Sequence, residues 1–423
     1  MSTFTELLAQ LETAVRAGDR ARALELARVI QQQLVQAGQE RAAVERQVRA
    51  LLAELEAAQT AGKDLKRLEW DIRTLRDGNK AMPGDAVHPR NAAQDEDIVY
   101  PVWFGTNRRQ EADGSFGARR SSQTTRGRVD VFVPEAHRFG EIGTPFWKKL
   151  LRRDLRDDTL RIQGTATQSH QAWLEELRQT LRDAAAAGDE THALVFIHGF
   201  NVTFEEAAIR AAQIGVDLDV PGATAFFSWP SRGNVIDYPV DEACIEASER
   251  AITDFLVDFA AEVGARKLHL IAHSMGNRGL LRALQRIAAN AQTRGKVKFD
   301  QIFLAAPDVD RDLFLDLAAL YGEHAARTTL YASDADLPVH VSSELHQAAR
   351  AGYFEPYTVA QGVDTIAVPD FDLDLLGHSY FAQAESLLYH MRELMLHGKA
   401  KVTASRLKPA TDVSGATFWK LRR

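Results

Sequence analysis

Six short apolar runs, separated by stretches of helical pattern, constrain the fold of this chain more than any other feature of its sequence. They span residues 194–197, 223–227, 267–271, 301–304, 328–331 and 364–368. Strands that are apolar throughout are typical of a parallel sheet, because its crossover helices cover both faces. Since such crossovers are right-handed, the sequence predicts an α/β domain built on a doubly wound, mostly parallel sheet. Two earlier runs, at 98–104 and 127–134, predict leading strands.

The first 80 residues differ in composition from the rest of the chain. They contain no proline and only two aromatic residues, and they are rich in Ala, Leu, Glu, Gln and Arg, which favour helix. From Val44 to Leu75, apolar residues recur mostly at the alternating steps of four and three that form a coiled-coil seam, with a break at Gly62. Residues 1–80 are therefore predicted to form an N-terminal α-helical, coiled-coil-like segment. It either packs on the rest of the chain or mediates homo-oligomerisation or the binding of a partner protein.

The remaining domain boundaries follow from changes in amino-acid composition along the chain. Residues 81–95 contain closely spaced Pro and Gly and are predicted to be a linker. Residues 96–398 hold the strands and helices of the α/β domain. Residues 399–423 form a tail with seven basic residues and one acidic residue. A solvated, disordered tail is expected, with the Phe418–Trp419 pair available to a membrane surface, a nucleic acid or an acidic partner.

Composition excludes several classes of protein. The chain has 423 residues and a net charge of −7, which is too acidic for a dedicated nucleic-acid binder. The single cysteine, Cys244, excludes an intramolecular disulfide and a Cys-rich zinc site. No nucleotide-binding glycine motif is present, so nucleotide cofactors are not indicated. The start of the sequence lacks a signal-peptide pattern and no apolar run has the length of a membrane span, so we expect a soluble, cytoplasmic protein without a transmembrane segment.

The strongest local motif is the octapeptide LIAHSMGN at 270–277, in which an apolar run leads into a helical pattern with Ser274 at the turn. A nucleophile elbow places its serine on such a sharp strand-to-helix bend and needs small residues two positions before and after it. Ala272 and Gly276 occupy those positions, so the motif is G-x-S-x-G with alanine for the first glycine. Ser274 is therefore the predicted nucleophile. The alternative is a serine that only caps the helix.

A serine nucleophile needs a base and a carboxylate that orients the base. Asp334 and Asp336 follow the run at 328–331, and His378 follows the last run, beside a glycine. The order Ser, acid, His then matches the order known for enzymes with a nucleophile elbow. Asp336 is the favoured acid because it lies deeper in its loop, and Asp334 stays open as an alternative. Asp308 and Asp310, after the run at 301–304, are further candidates for the acid or form a pair that stabilises their loop.

Two backbone amides are needed to stabilise the oxyanion that forms during acyl transfer. One is the amide of Met275, directly after the nucleophile, and the other belongs to the loop after the run at 194–197. In that loop the sequence IHGFN offers the amide of Phe200 or that of Asn201. Three residues at the ends of predicted strands are candidates for the wall of the substrate pocket, namely His198, Trp229 and Arg232.

Taken together, these segments resemble a known family. The runs VFIHGFNVTFEEAAIRAAQI, FFSWPSRG, LIAHSMGN, IFLAAPDVD, LYASDAD and GHSYF are similar to those of a large, poorly characterised family of α/β-hydrolases long described as a domain of unknown function. The resemblance covers about residues 98–396 and leaves the N-terminal helical segment outside. It implies the α/β-hydrolase fold and a Ser274–Asp336–His378 triad, and it implies no particular substrate.

The function expected from the sequence is therefore that of a serine hydrolase acting on an ester, thioester or amide of a small-molecule or acyl substrate. Ser274 attacks the carbonyl, His378 moves the proton, and a covalent acyl-enzyme follows without a cofactor. The alternative is a catalytically inactive scaffold of the same fold that recruits partners through residues 1–80.

Overall fold

The computed structural model describes residues 97–137, 139–140, 158–188, 190–232, 238–333, 348–353, 357–368, 381–397, 407–412 and 415–421. The chain divides into two compact units, residues 1–96 with 143–159 and residues 97–142 with 160–423. Almost all described residues belong to the second unit. The predicted helical segment 1–80 and the linker 81–95 lie outside the described residues.

Eleven strands of the described part form one sheet with the order β10-β11-β9-β8-β7-β6-β4-β5-β1-β2-β3. Their bounds are β1 Ile98–Gln110, β2 Phe116–Val133, β3 Arg161–Gln168, β4 His192–Ile197, β5 Gly222–Ser228, β6 Lys267–His273, β7 Phe299–Ala305, β8 Ala325–Ala332, β9 Val363–Ala367, β10 Leu407–Thr411 and β11 Thr417–Leu421. All neighbours from β11 to β1 in that order are parallel. The pairs β1–β2, β2–β3 and β10–β11 are antiparallel. The predicted mostly parallel sheet is confirmed, and each predicted run lies in a strand except for its last residue in two cases, Pro134 after β2 and Val368 after β9.

Helices cover both faces of this sheet. Their bounds are α1 His170–Ala186, α2 Phe204–Asp217, α3 Tyr238–Glu246, α4 Glu249–Glu262, α5 Gly276–Ala289, α6 Arg311–Leu317, α7 Ala319–His324 and α8 Phe381–His397. Alternate residues of each central strand enter different cores. In β6, Leu270 and Ala272 pack with α1, α4 and α5, whereas Ile271 packs with α2 and α8. A strand buried on both faces needs apolar residues on both, which explains its continuous apolar sequence. None of the described helices is both long and apolar enough to cross a membrane.

The basic tail contributes two strands to the sheet, so the expectation of a disordered tail is wrong for residues 407–412 and 415–421. Strand β11 pairs in parallel with β9 and antiparallel with β10. Phe418 is buried and stacks on Tyr357, with the ring centroids 4.1 Å apart. Leu407 and Leu421 are also buried. These apolar side chains order the tail, while its basic side chains alternate toward solvent.

Candidate active site

Ser274 occupies the sharp turn between β6 and α5. Its φ is 49°, in the left-handed region that a non-glycine residue rarely adopts and that costs about 1 kcal/mol or more. Its backbone N–H donates to the Ala305 carbonyl at 2.9 Å. Its carbonyl accepts from the backbone N–H groups of Asn277 at 3.0 Å and Asp308 at 3.2 Å, and from Asn277 Nδ2 at 3.0 Å. These hydrogen bonds stabilise the strained backbone.

The hydroxyl of Ser274 has no hydrogen-bond partner among the described residues. The residue is largely buried and exposes 7% of its surface. Helix α5 has no side-chain cap, and the amide of Asn277 bonds to the Ser274 carbonyl instead of to its hydroxyl. The described contacts therefore do not favour the alternative in which Ser274 only caps the helix.

Two glycines allow the loop after β4 to lie against the elbow. A Cβ on Gly276 would stand 2.5 Å from the His198 carbonyl oxygen and 2.9 Å from that of Ile197. A Cβ on Gly199 would stand 3.0 Å from the Cβ of Ser274. Neither approach is compatible with a side chain, because the close atoms belong to backbone or to the elbow itself. This gives the physical reason for glycine two residues after Ser274.

We expect Gly276→Ala to lower the free energy of unfolding by about 3 kcal/mol, because the new methyl group overlaps two backbone carbonyls that cannot rotate away. Gly322→Ala is the matched control, since it lies in α7 with no atom within 4 Å of the added Cβ. It is expected to stabilise the protein by roughly 0.5 kcal/mol through a less flexible unfolded chain. Urea unfolding of both variants measures the contrast. Equal stabilities of the two variants would contradict it.

The loop after β4 carries the amides predicted to stabilise an oxyanion. The backbone N–H groups of Phe200 and Met275 have no acceptor among the described residues. For Met275 this is expected, because amides at the start of a helix lack intrahelical partners. The Asn201 backbone has a φ of 60°, and its amide interacts instead with the carboxylate of Asp241, whose pKa it lowers. Of the two amides left open for this loop, that of Phe200 is therefore the one without a partner.

The three candidates for the pocket wall lie behind or beside this loop. His198 and Trp229 are fully buried and stacked, with the ring centroids 5.1 Å apart and the planes 13° apart. Trp229 Nε1 donates to the His198 carbonyl at 2.9 Å. Arg232 is exposed, and its backbone N–H donates to Asp241 at 2.9 Å. In this conformation His198 and Trp229 support the loop, and only Arg232 presents its side chain to solvent.

Burial lowers the pKa of His198 to about 3, with a further lowering by the nearby guanidinium of Arg108. His198 is therefore neutral at pH 7. Burial also lowers the pKa of His269, on β6, to about 3, and the nearby ammonium group of Lys267 lowers it further. The His269 ring is hydrogen-bonded to the His192 ring at 3.1 Å.

These two histidines predict a loss of stability in mild acid. Below their ordinary pKa of 6.5 the unfolded chain binds protons that the folded chain does not, so the free energy of unfolding falls as the pH falls from 6.5 toward 3. We expect a loss of roughly 1.4 kcal/mol for each histidine between pH 7.5 and 5.5. Urea unfolding at both pH values tests this, and His269→Gln should remove its share. A free energy independent of pH in both proteins would contradict the prediction.

Arg108 and Asp241 contact this region, and the sequence reasoning assigned neither of them a role. The side chain of Arg108 exposes 1% of its surface near the end of β1, and Asp241 is fully buried in α3. Burial lowers the pKa of Arg108 to about 10 and raises that of Asp241. The sequence signal for Arg108 is the polar triplet Thr106 to Arg108, which follows the apolar run 98–104 after one glycine.

Asp308 forms an ion-pair cluster below the elbow. Its carboxylate lies 3.3 Å from Arg278 Nη2 and 3.5 Å from Arg350 Nε, and it also accepts a hydrogen bond from the Tyr238 hydroxyl. Arg278 in turn pairs with Glu242. These contacts fit the loop-stabilising alternative for Asp308.

The predicted acid, Asp336, its alternative Asp334 and the predicted base His378 lie outside the described residues. Within the described ranges, no cluster of three His, Cys, Asp or Glu side chains has the arrangement of a metal site.

Comparison with known proteins places the chain by its sequence. A sequence model of the family described as "Alpha/beta hydrolase of unknown function (DUF900)" matches residues 172–396, more than half of the chain. The uncharacterized protein alr1448 of Nostoc sp. is 25% identical over 164 residues. That match covers 28% of this chain and 43% of the Nostoc protein, so less than half of the relative's length is spanned.

Two solved structures are similar at low identity. An uncharacterized protein from Bacillus cereus ATCC 10987 has 13% identity and a TM-score of 0.32, over 51% of this chain and 66% of that one. A predicted CIB-like hydrolase from Thermoplasma acidophilum has 15% identity and a TM-score of 0.29, over 49% and 86%. The family match and the parallel sheet with helices on both faces agree with the resemblance seen in the sequence. The chain belongs to the α/β-hydrolase family of unknown function whose sequence pattern spans its residues 172–396.

Proposed function

We propose that the protein is a serine hydrolase that cleaves an ester, thioester or amide bond through a covalent acyl-enzyme. The observation that carries the proposal is the conformation of Ser274. It sits at a φ of 49° on a strand-to-helix turn, with the Gly199 backbone packed against it and no described group bonded to its hydroxyl. A strained turn that holds a serine hydroxyl without a hydrogen-bond partner, beside unpaired amides, is what acyl transfer needs.

In the proposed reaction the Ser274 hydroxyl attacks the substrate carbonyl and His378 accepts its proton. The negative charge on the carbonyl oxygen is stabilised by the amides of Phe200 and Met275. His378 then donates the proton to the leaving group, and water hydrolyses the acyl-serine by the same route. Asp336, with Asp334 as the alternative, holds the imidazole in the correct tautomer. No metal or organic cofactor takes part.

Other described side chains are poor alternatives to these roles. His198 is fully buried and its pKa is lowered to about 3, so it is unsuited to act as a base near neutral pH. Burial raises the pKa of the Cys244 thiol, which disfavours the nucleophilic thiolate. Arg232, exposed beside the loop, is proposed to line the entrance for a small acyl substrate.

Labelling of the wild-type protein with a fluorophosphonate tests this proposal. The expected result is one adduct per folded chain, and peptide mapping is expected to place it on Ser274. Heat-unfolded protein is the control and should not react. No adduct, or an adduct on another residue, would contradict the proposal and favour the scaffold alternative.

A further inference from the structure

The end of β1 carries a buried guanidinium that the proposed chemistry does not use. Arg108 Nη2 donates to the Val202 carbonyl at 2.7 Å, and Nη1 donates to the carbonyls of Ser231 at 3.0 Å and Gly117 at 3.4 Å. Its Nε donates to the Ser228 hydroxyl at 2.8 Å. None of the described carboxylates forms an ion pair with it. Burying such a charge is costly, and neutral acceptors offset that cost only in part.

From Arg108 a directed chain of hydrogen bonds leads to the elbow. Since Arg108 Nε can only donate, the Ser228 oxygen accepts from it. His198 Nδ1 lies 2.8 Å from the Gly199 carbonyl, which can only accept, so Nδ1 carries the proton of the neutral ring. His198 Nε2 is then an acceptor, and the Ser228 hydroxyl, 3.2 Å away, donates to it. The tautomer of His198 that the Gly199 carbonyl selects is therefore compatible with the hydrogen bond from Arg108 to Ser228, and the Gly199 backbone packs on Ser274.

A buried carboxylate holds the other side of the same loop. Asp241 accepts from the Ser231 hydroxyl at 2.5 Å and from the Arg232 backbone N–H at 2.9 Å. The backbone of Asn201, whose φ of 60° lies in the left-handed region, also interacts with this carboxylate and lowers its pKa. The Ser231 oxygen accepts from the Val202 backbone N–H at 3.2 Å. Residues 199–202 are thus bonded to a cation on one side and an anion on the other.

We propose that Arg108 and Asp241 are positioning residues that hold residues 199–202 in the conformation in which the Phe200 amide faces the oxyanion. The inference rests on the proposed function, because it assigns a purpose to the same loop. Arg108 acts through Ser228, His198 and the Val202 carbonyl, and Asp241 acts through Asn201 and Ser231. Occupying the Asn201 amide with Asp241 leaves the Phe200 amide as the donor to substrate.

The test uses Asp241→Asn and Ser228→Ala, one variant for each side of the loop, in the full chain. The measurements are the second-order rate constant for fluorophosphonate labelling of Ser274, the final labelling stoichiometry, and kcat and KM for p-nitrophenyl acetate. Both variants are expected to label at least 10-fold more slowly, up to about 10²-fold, because loss of a whole oxyanion donor costs about 10²–10³ in rate. The stoichiometry should stay at one per chain, and KM should not change.

Asp258→Asn is the matched control. Asp258 is a largely buried carboxylate on a different helix, α4, with its pKa raised by burial and an ion pair to Arg126 at 2.5 Å. It should label at the wild-type rate even if the variant is less stable.

The outcomes separate the positioning role from the proposed function. Normal labelling rates in both variants, with wild type labelled on Ser274, overturn the positioning role and leave the hydrolase proposal standing. A lower stoichiometry with an unchanged rate constant shows partial unfolding and also overturns it, as does equal slowing by Asp258→Asn. If Asp241→Asn does not fold, Ser228→Ala decides alone. Failure of the wild type to label overturns both proposals.

Discussion

Replacing Ser274 by alanine is expected to lower kcat for p-nitrophenyl acetate by roughly 10⁶-fold, the loss typical when a serine hydrolase loses its nucleophile. Without the hydroxyl no acyl-enzyme forms, and the remaining oxyanion donors can only assist attack by water. KM should change little, because the hydroxyl contributes little to binding of the ground state. The loss of fluorophosphonate labelling should be complete.

The loss of activity should occur without loss of structure. The Ser274 hydroxyl has no partner among the described residues, so its removal leaves no buried group unpaired, and the free energy of unfolding should change by less than about 1 kcal/mol. Ser169→Ala is the matched control with the opposite pattern. Ser169 caps α1 by accepting from the Ala172 N–H at 3.2 Å, so its loss should cost about 1 kcal/mol of stability and no activity. Full esterase activity in Ser274→Ala would contradict the hydrolase proposal.

Replacing Asp336 by asparagine is expected to lower kcat by about 10⁴-fold, whereas Asp334→Asn should leave kcat within a few-fold of wild type. Asparagine presents an N–H where the histidine needs an acceptor, so the imidazole is held in the wrong tautomer. The same substitution two residues away provides the matched control, since it removes the same charge from the same loop. Rates of p-nitrophenyl acetate hydrolysis and of fluorophosphonate labelling measure both effects.

The reverse pattern would identify Asp334 as the acid and keep the rest of the mechanism. Unchanged rates in both variants would contradict an acid in this loop and would leave Asp308 as the candidate for the acid. Asp308 is already engaged by Arg278 and Arg350, so its replacement should unfold the region below the elbow as well as change the rate.

The central strands could be predicted because a strand that is buried on both faces consists of a continuous run of apolar residues, which is visible in the local sequence. The same reasoning missed β3, whose sequence RIQGTATQ lies at the sheet edge and is half exposed. It also missed β10, at the opposite edge, and β11, which lies between β10 and β9; a few apolar side chains among basic ones suffice to add these two strands. Edge strands bury one side at most, so their composition resembles that of a loop.

The elbow was predictable for a related reason. A turn between strand and helix is a local structure. The small residues that it requires, at positions 272 and 276, lie within five residues of each other in the sequence. The support of the neighbouring loop is not local. Arg108 contacts groups that are 94, 120 and 123 positions away in the chain, and an arginine at the end of a strand gives no local sign of burial.

The sequence by itself determined the α/β class, the strand order along the chain and the serine at the turn, because each depends on neighbouring residues and on side-chain periodicity. Only the tertiary structure decided which backbone amides lack partners, why His198 is neutral and why a guanidinium and a carboxylate lie buried beside the loop. Those properties arise from burial and from hydrogen bonds between distant segments. They therefore exist only once the sheet has brought the carboxyl ends of β1, β4, β5 and β6 together at the same end of the parallel strands.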